Sequence, residues 1–200
     1  MGGSVPPGVE KSIYRDIINI GGDKTKFIID CDGEALKLCM ENKKKPYMIK
    51  PNQFELEQYA GKKFDLTNKS GEREVFDEVS KIYSETGVKV LCTLGGHGAV
   101  YNVDGRTYGV AAPKVEVKGF TGAGDTFLAA FCAAYFGLFD VAGLWRSAVK
   151  RITPEDFNKN AIHRGAPVFA VIAAAAKVTK PGTEFPSVDE MIEMYGNMIK

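Results

Sequence analysis

The 200-residue chain carries 26 Lys and Arg against 25 Asp and Glu, a net charge of +1, and 44% of its residues are apolar. That is room for one domain with a substantial core. The charge balance leaves no net basic field for nucleic acid or an acidic membrane. Four cysteines, Cys31, Cys39, Cys92 and Cys132, are scattered in apolar contexts, form no Cys-x-x-Cys pair and have only two histidines to join them. Reduced, mostly buried thiols are expected. The start of the chain is neither basic nor followed by an apolar h-region, so no signal peptide is expected. The apolar run Ala166 to Ala176 holds Pro167 and is too short to span a bilayer. A cytoplasmic protein follows from these exclusions.

In chain order, Val9 to Ile20 has apolar residues at helical spacing and is stopped by Gly21 and Gly22. Lys26 to Asp30 reads as a short buried strand presenting Asp30 at its carboxyl end. Gly33 to Asn42 reads as a helix with Ala35, Leu36, Cys39 and Met40 inward. Tyr47 to Ile49 is a strand cut off by Lys50, Pro51 and Asn52. Helices are expected around Gln53 to Ala60 and Arg73 to Ser84, then a strong strand over Val88 to Leu94 broken by Gly95, Gly96, His97 and Gly98. Ala99 to Val103 and Thr107 to Ala112 make a hairpin around Asp104, Gly105 and Arg106. A helix from Asp125 to Phe136 and two more around Ala161 to Lys177 and Val188 to Met198 complete the pattern. Strands alternating with helices predict a three-layer α/β domain with a mainly parallel sheet. Ligands in such sheets bind beyond the carboxyl ends of the strands.

The densest chemical signal is Lys118 to Phe131, KGFTGAGDTFLAAF. Its glycines permit a tight turn with φ angles that larger residues resist. The turn opens a helix whose N-terminus carries about half a positive charge, a setting for an anion. Asp125 stands at the mouth of that nest, placed to take a proton from an attacking hydroxyl. The plain alternative is a capped helix start, for which Asp is well suited.

Other mechanisms lack their motifs. The chain has no Gly-x-x-x-x-Gly-Lys-Ser/Thr loop of Walker-type NTPases and no dinucleotide fingerprint after its first strand. Ser4 is not in a nucleophile elbow, and the dispersed basic residues have no aromatic stripe for nucleic acid.

Taken together, these segments resemble the C-terminal portion of a PfkB-type, ribokinase-like carbohydrate kinase, over nearly the whole chain. Gly122 to Asp125 is similar to that family's second signature. Asn52 to Glu55, after Lys50 and Pro51, matches its Asn-x-x-Glu motif, and Thr93 to Gly98 resembles its nucleotide-site strand and turn. Gly3 to Gly8 and Asp30 to Leu36 look like the branch of 1-phosphofructokinase and tagatose-6-phosphate kinase. Pro181 to Pro186 resembles the family's C-terminal loop.

The resemblance implies ATP-dependent transfer of a phosphoryl group to a hydroxyl of a ketohexose phosphate, with Mg²⁺. It makes Asp125 the general base, a role worth about 10²–10⁴-fold in rate. The amides of Gly122, Ala123 and Gly124 become the anion hole, where losing one donor costs about 3–4 kcal/mol. Asn52 and Glu55 organise the metal, largely through water; otherwise they are a turn residue and a first-turn glutamate. Lys50 touches a nucleotide phosphate or is an ordinary surface lysine. Thr93, Gly95 and Gly98 wall the nucleotide or make a tight turn. Gly3 and Ser4 contact sugar or lie disordered at a terminus. Asp30 binds near the acceptor or caps the next helix, while His97 and His163 read as turn and exposed helical residues.

Two departures from the family pattern stand out. The family usually has Asp or Asn where this chain has Gly119, followed by Phe120, so a side chain that would pin the loop is missing. Trp145 to Asn160 is longer and more charged than the family's equivalent. The resemblance places residues 1–200 in the nucleotide-binding, C-terminal part of the kinase domain, lacking the usual N-terminal strands and β lid. The expected partner is a small-molecule sugar phosphate, with no nucleic acid and no membrane. A homodimer and a complementing N-terminal chain both stay open, as does a non-catalytic nucleotide-binding fragment or one part of a split sugar kinase.

Overall fold

The structure, a computed structural model, describes residues 1–103, 105–138 and 159–198. Its elements in chain order are α1 (Ile13–Ile20), β1 (Ile28–Ile29), α2 (Gly33–Glu41), β2 (Met48–Ile49), α3 (Gln53–Ala60), α4 (Lys69–Thr86) and β3 (Lys89–Thr93). A 3₁₀ turn (Gly95–His97), β4 (Ala99–Val103), β5 (Arg106–Val110), α5 (Ala123–Tyr135), α6 (Lys159–Val178) and α7 (Val188–Met198) follow. The expectation for Trp145 to Asn160 falls outside the described residues, apart from Lys159 and Asn160. Asp104 of the expected hairpin turn lies outside them too.

The chain divides into two compact units, Met1–Gly109 and Val110–Lys200. In the first, the strands follow the order β1-β2-β3-β4-β5. β1, β2 and β3 run parallel, with Ile29 beside Ile49 and Ile49 beside Val90. The parallel pairing requires long crossovers, supplied by α2 and by α3 with α4. β4 then turns back antiparallel on β3, pairing Leu91 with Tyr101. The α/β fold with a mostly parallel sheet agrees with the alternation read from the sequence.

The core explains which segments became strands. Ile29, Met48, Ile49, Val90, Leu91 and Cys92 are fully buried. Continuous apolar runs of this kind mark strands covered on both faces. Leu36 and Cys39 of α2, Leu56 of α3, and Val75 and Val79 of α4 close over them. Each such side chain contributes roughly 1.5–3 kcal/mol through burial.

Several boundaries differ from the sequence reading. Val9 to Ser12 form turns, and the first helix begins only at Ile13. Val9 and Ile17, two of the apolar positions behind the longer helix, are both exposed. The strand expected over Lys26 to Asp30 narrows to Ile28–Ile29, because Lys26 and Phe27 lie outside the paired register. The hairpin's second strand ends at Val110 rather than Ala112. α4 starts four residues before Arg73, capped by the Asn68 side chain, which accepts from Gly71 N at 3.0 Å.

In the second unit α5 packs along α6, and α7 packs against α6. Phe127, Phe131, Ala134 and Tyr135 of α5 are buried, as are Ala166, Phe169, Ala170 and Ile172 of α6. Pro167 sits inside α6. No helix among the described residues is long and apolar enough to cross a membrane. Cys31, Cys39 and Cys92 are buried free thiols and Cys132 is half-buried, as the composition suggested.

Candidate active site

At the carboxyl edge of the parallel sheet, several residues singled out in the sequence lie on neighbouring strand ends. Gly2 bridges Asp30 and Asn52 bridges Thr93, both in parallel register. Gly3 N donates to Asp30 O at 2.8 Å, and Asp30 N donates to Met1 O at 2.9 Å. Gly3 is therefore ordered against β1. Ser4 is held as well, its hydroxyl donating to Asp32 Oδ2 at 2.8 Å. The Tyr14 hydroxyl reaches the carbonyls of Gly2 and Gly3 at 2.9 Å each. Terminal disorder of this loop is not what the structure shows.

Lys50 is not a surface lysine. It is 5% exposed, and its Nζ pairs with Asp30 Oδ1 at 2.9 Å. Lys50 N also donates to Ile29 O at 2.8 Å, tying the two strand ends together. The sequence read Asp30 and Lys50 separately; only the parallel register makes them partners.

Asn52 and Glu55 form a reciprocal capping box at the start of α3. Glu55 N donates to Asn52 Oδ1 at 3.0 Å, and Asn52 N donates to Glu55 Oε2 at 2.8 Å. The two residues are thus held rigidly, with Glu55 Oε1 and the Asn52 amide nitrogen outside the box. Burial raises the Glu55 carboxyl above its ordinary range, opposed by the Asn52 amide and Lys50. No group of three or more His, Cys, Asp and Glu side chains among the described residues forms a metal cluster. Of the Asn52–Glu55 pair, Glu55 Oε1 is the carboxylate oxygen left for Mg²⁺, an ion that keeps several waters and binds through one or two carboxylates and phosphate oxygens.

Thr93 ends β3, its amide donating to Pro51 O at 3.0 Å. Gly95 begins the 3₁₀ turn and Gly98 closes it, with Leu94 N donating to Gly98 O at 2.8 Å. His97 is an exposed turn residue. Burial pushes the nearby Cys92 thiol up to about 12, which leaves it chemically quiet.

The second unit carries the glycine nest. Gly122 takes a left-handed conformation, φ 77°, and α5 starts immediately after it. An L side chain there would be strained, so the glycine is required by the turn. Ala123 N donates to Phe120 O at 3.2 Å and is partly committed. The amides of Gly124 and Asp125 belong to the first turn, where a helix offers no acceptor of its own. The sequence reading had not counted the Asp125 amide, although its place in the first turn was the available signal. Asp125 and Gly124 are exposed. One buried polar atom nearby, Thr126 Oγ1, has no partner among the described residues.

Gly119 lacks a side chain to pin the nest, and the backbone does this instead. Lys118 N and Gly119 N both donate to Val178 O, at 2.7 and 3.2 Å. The approach to the nest is therefore fastened to the end of α6.

The α/β fold, with its mostly parallel sheet, matches that of solved ribokinase-like kinases. Phosphofructokinase-2 from Escherichia coli, in a structure with potassium, superposes with a TM-score of 0.72 at 24% identity, covering 100% of this chain and 56% of that one. Ribokinase from Thermotoga maritima gives 0.56 at 19% identity, over 86% of this chain and 50% of that one. The profile of the pfkB family carbohydrate kinases matches residues 1–190, and the chain belongs to that family. A 1-phosphofructokinase from Borreliella burgdorferi is 33% identical over 138 residues, 68% of this chain and 42% of that protein. The chain thus spans about half the length of the relatives it matches.

Proposed function

We propose that this chain carries the nucleotide and phosphoryl-transfer part of a cytoplasmic sugar-phosphate kinase, moving the γ-phosphoryl group of ATP to a hydroxyl of a ketohexose phosphate. The observation that carries this reading is the left-handed Gly122 delivering Gly124 and the exposed Asp125 to the start of α5. Family membership and the 1-phosphofructokinase relative support the substrate class.

On this reading Asp125 accepts the proton of the attacking hydroxyl. The first-turn amides receive the charge of the transferring phosphoryl group, in a reaction where positioning and electrostatics do nearly all the work. Asn52 and Glu55 hold Mg²⁺, which neutralises phosphate charge when bound. Thr93, Gly95 and Gly98 border the nucleotide. Gly3 and Ser4, ordered beside Asp30 and Asp32, face the acceptor sugar. Lys50 acts by fixing Asp30. Residues 1–200 serve as one functional part of a kinase domain, with a homodimer or a complementing chain as the assembly that light scattering would reveal.

ATP turnover with Mg²⁺ against fructose 1-phosphate, tagatose 6-phosphate and fructose 6-phosphate tests this directly. Turnover with one sugar phosphate, reduced at least about 10²-fold by Asp125→Asn, is the expected result. Nucleotide binding without turnover would identify a half-site instead. No nucleotide binding would end the kinase reading for this chain.

A further inference from the structure

We propose that Lys177 is a positioning residue for phosphoryl transfer: a buried ammonium built in behind the glycine nest, holding its loop and adding fixed positive charge to it. The inference rests on the kinase reading for its role, but its structural basis stands apart from that reading.

Lys177 lies in the last turn of α6 and is 1% exposed. Lysines normally keep the ammonium in water while burying the stem, so enclosing the whole side chain needs compensation. Three features supply it in part. Lys177 Nζ donates to Gly182 O at 2.9 Å, in the loop that follows the helix. The Phe185 ring lies 6.0 Å away, at the outer limit of a cation–π contact. The C-terminal end of α6 carries partial negative charge that favours a cation. No carboxylate among the described residues pairs with it.

The direction of the side chain decides what the charge is for. Its last methylene lies 3.6 Å from where a Cβ on Gly122 would stand, so the stem runs against the αL residue that opens the nest. A Cβ at 122 would touch this stem at ordinary van der Waals distance, so the left-handed φ is what requires glycine there. Val178, next to Lys177, accepts the amides of Lys118 and Gly119. The end of α6 therefore fixes the nest by backbone bonds and brings a cation to its rear. An anion seated on the amides of Gly124 and Asp125 would supply the counter-charge that the buried ammonium lacks.

A nearby opposite charge favours the bound anion, and more strongly where neither charge is hydrated. We therefore expect Lys177→Met, which keeps the volume and removes the charge, to weaken binding of inorganic pyrophosphate about tenfold by calorimetry. Lys177→Arg, which keeps the charge on a larger guanidinium, should bind pyrophosphate more tightly than Lys177→Met. The circular dichroism spectrum and thermal midpoint of each variant report folding, and Lys177→Gln replaces Met if that variant does not fold. Equal pyrophosphate affinity in the parent and the uncharged variant overturns the proposal. So does an Arg variant as weak as Met, or failure of both uncharged variants to fold, which would make Lys177 structural. The same titrations with MgATP separate the two readings. Pyrophosphate binding that follows the Lys177 charge without MgATP binding keeps the charged nest but removes the kinase, and with it the role in phosphoryl transfer. No anion binding by the parent removes both.

Discussion

At the residue scale, the Lys50–Asp30 pair shows how a binding-type residue and a structural one can be the same side chain. Lys50 is 5% exposed and Asp30 16%, so neither charge is well hydrated. Removing one member of such a pair leaves the other uncompensated, at a cost of about 3 kcal/mol or more. Lys50→Met should lower the free energy of unfolding by about that amount in urea denaturation. Adding Asp30→Asn should recover part of the loss, because the stranded carboxylate is then gone. A Lys50 that served only to touch a nucleotide phosphate would leave the parent stability unchanged. Sequence reading could not separate these roles, since Asp30 and Lys50 sit on different strands and only their parallel register joins them.

At the element scale, what was legible depended on whether a local rule decided the outcome. The parallel strands, the helix after Asn52 and the glycine turn before α5 all follow local patterns, and the structure shows each. α4 begins at Lys69 rather than at the expected Arg73, and Gly71 lies in the added turn. A Cβ there would lie 2.0 Å from Asp65 O, so the glycine marks close backbone packing inside the helix. The contact is local, between the helix start and the Asp65 turn whose carboxylate accepts from Thr67 and Asn68, and the Asn68 cap was its sequence signal. The expected start of α7 at Val188 is the observed one, fixed by a capping box in which Glu190 N donates to Ser187 Oγ at 3.2 Å and Ser187 N to Glu190 Oε2 at 2.7 Å. Lys180 also donates to Glu190. The Lys180 and Ser187 bonds hold the Glu190 carboxyl below its ordinary value of 4.5. A carboxylate depressed by folding stabilises above its unfolded pKa, and that contribution fades as pH falls through its lower folded value. Protection factors of the α7 amides, that is exchange rates corrected for the intrinsic pH dependence of exchange, should therefore fall modestly below about pH 4.5 in the parent. In Glu190→Gln this acid-dependent step should be absent.

At the scale of the whole molecule, the two units are stabilised by different kinds of burial. The main cluster runs from Val5 to Val100 and lies wholly in the first unit, built of Ile, Leu, Val and Met around the sheet. In the second unit much of the buried face of α6 is alanine: Ala166, Ala170, Ala173, Ala175 and Ala176. Alanine lets helices approach closely but removes less apolar surface from water than a branched side chain, so each stabilises less. Composition cannot disclose this division, because it depends on which segments meet. Two thiols already in place report on it. Cys92, at 0% exposure on β3, belongs to the first unit, and half-buried Cys132 on α5 to the second. In a urea series with a brief thiol-alkylating pulse read by mass spectrometry, Cys132 should become reactive at a lower midpoint than Cys92. Coincident midpoints would mean that the two units unfold as one cooperative body, and that the alanine-rich helix pair draws its stability from the rest of the chain.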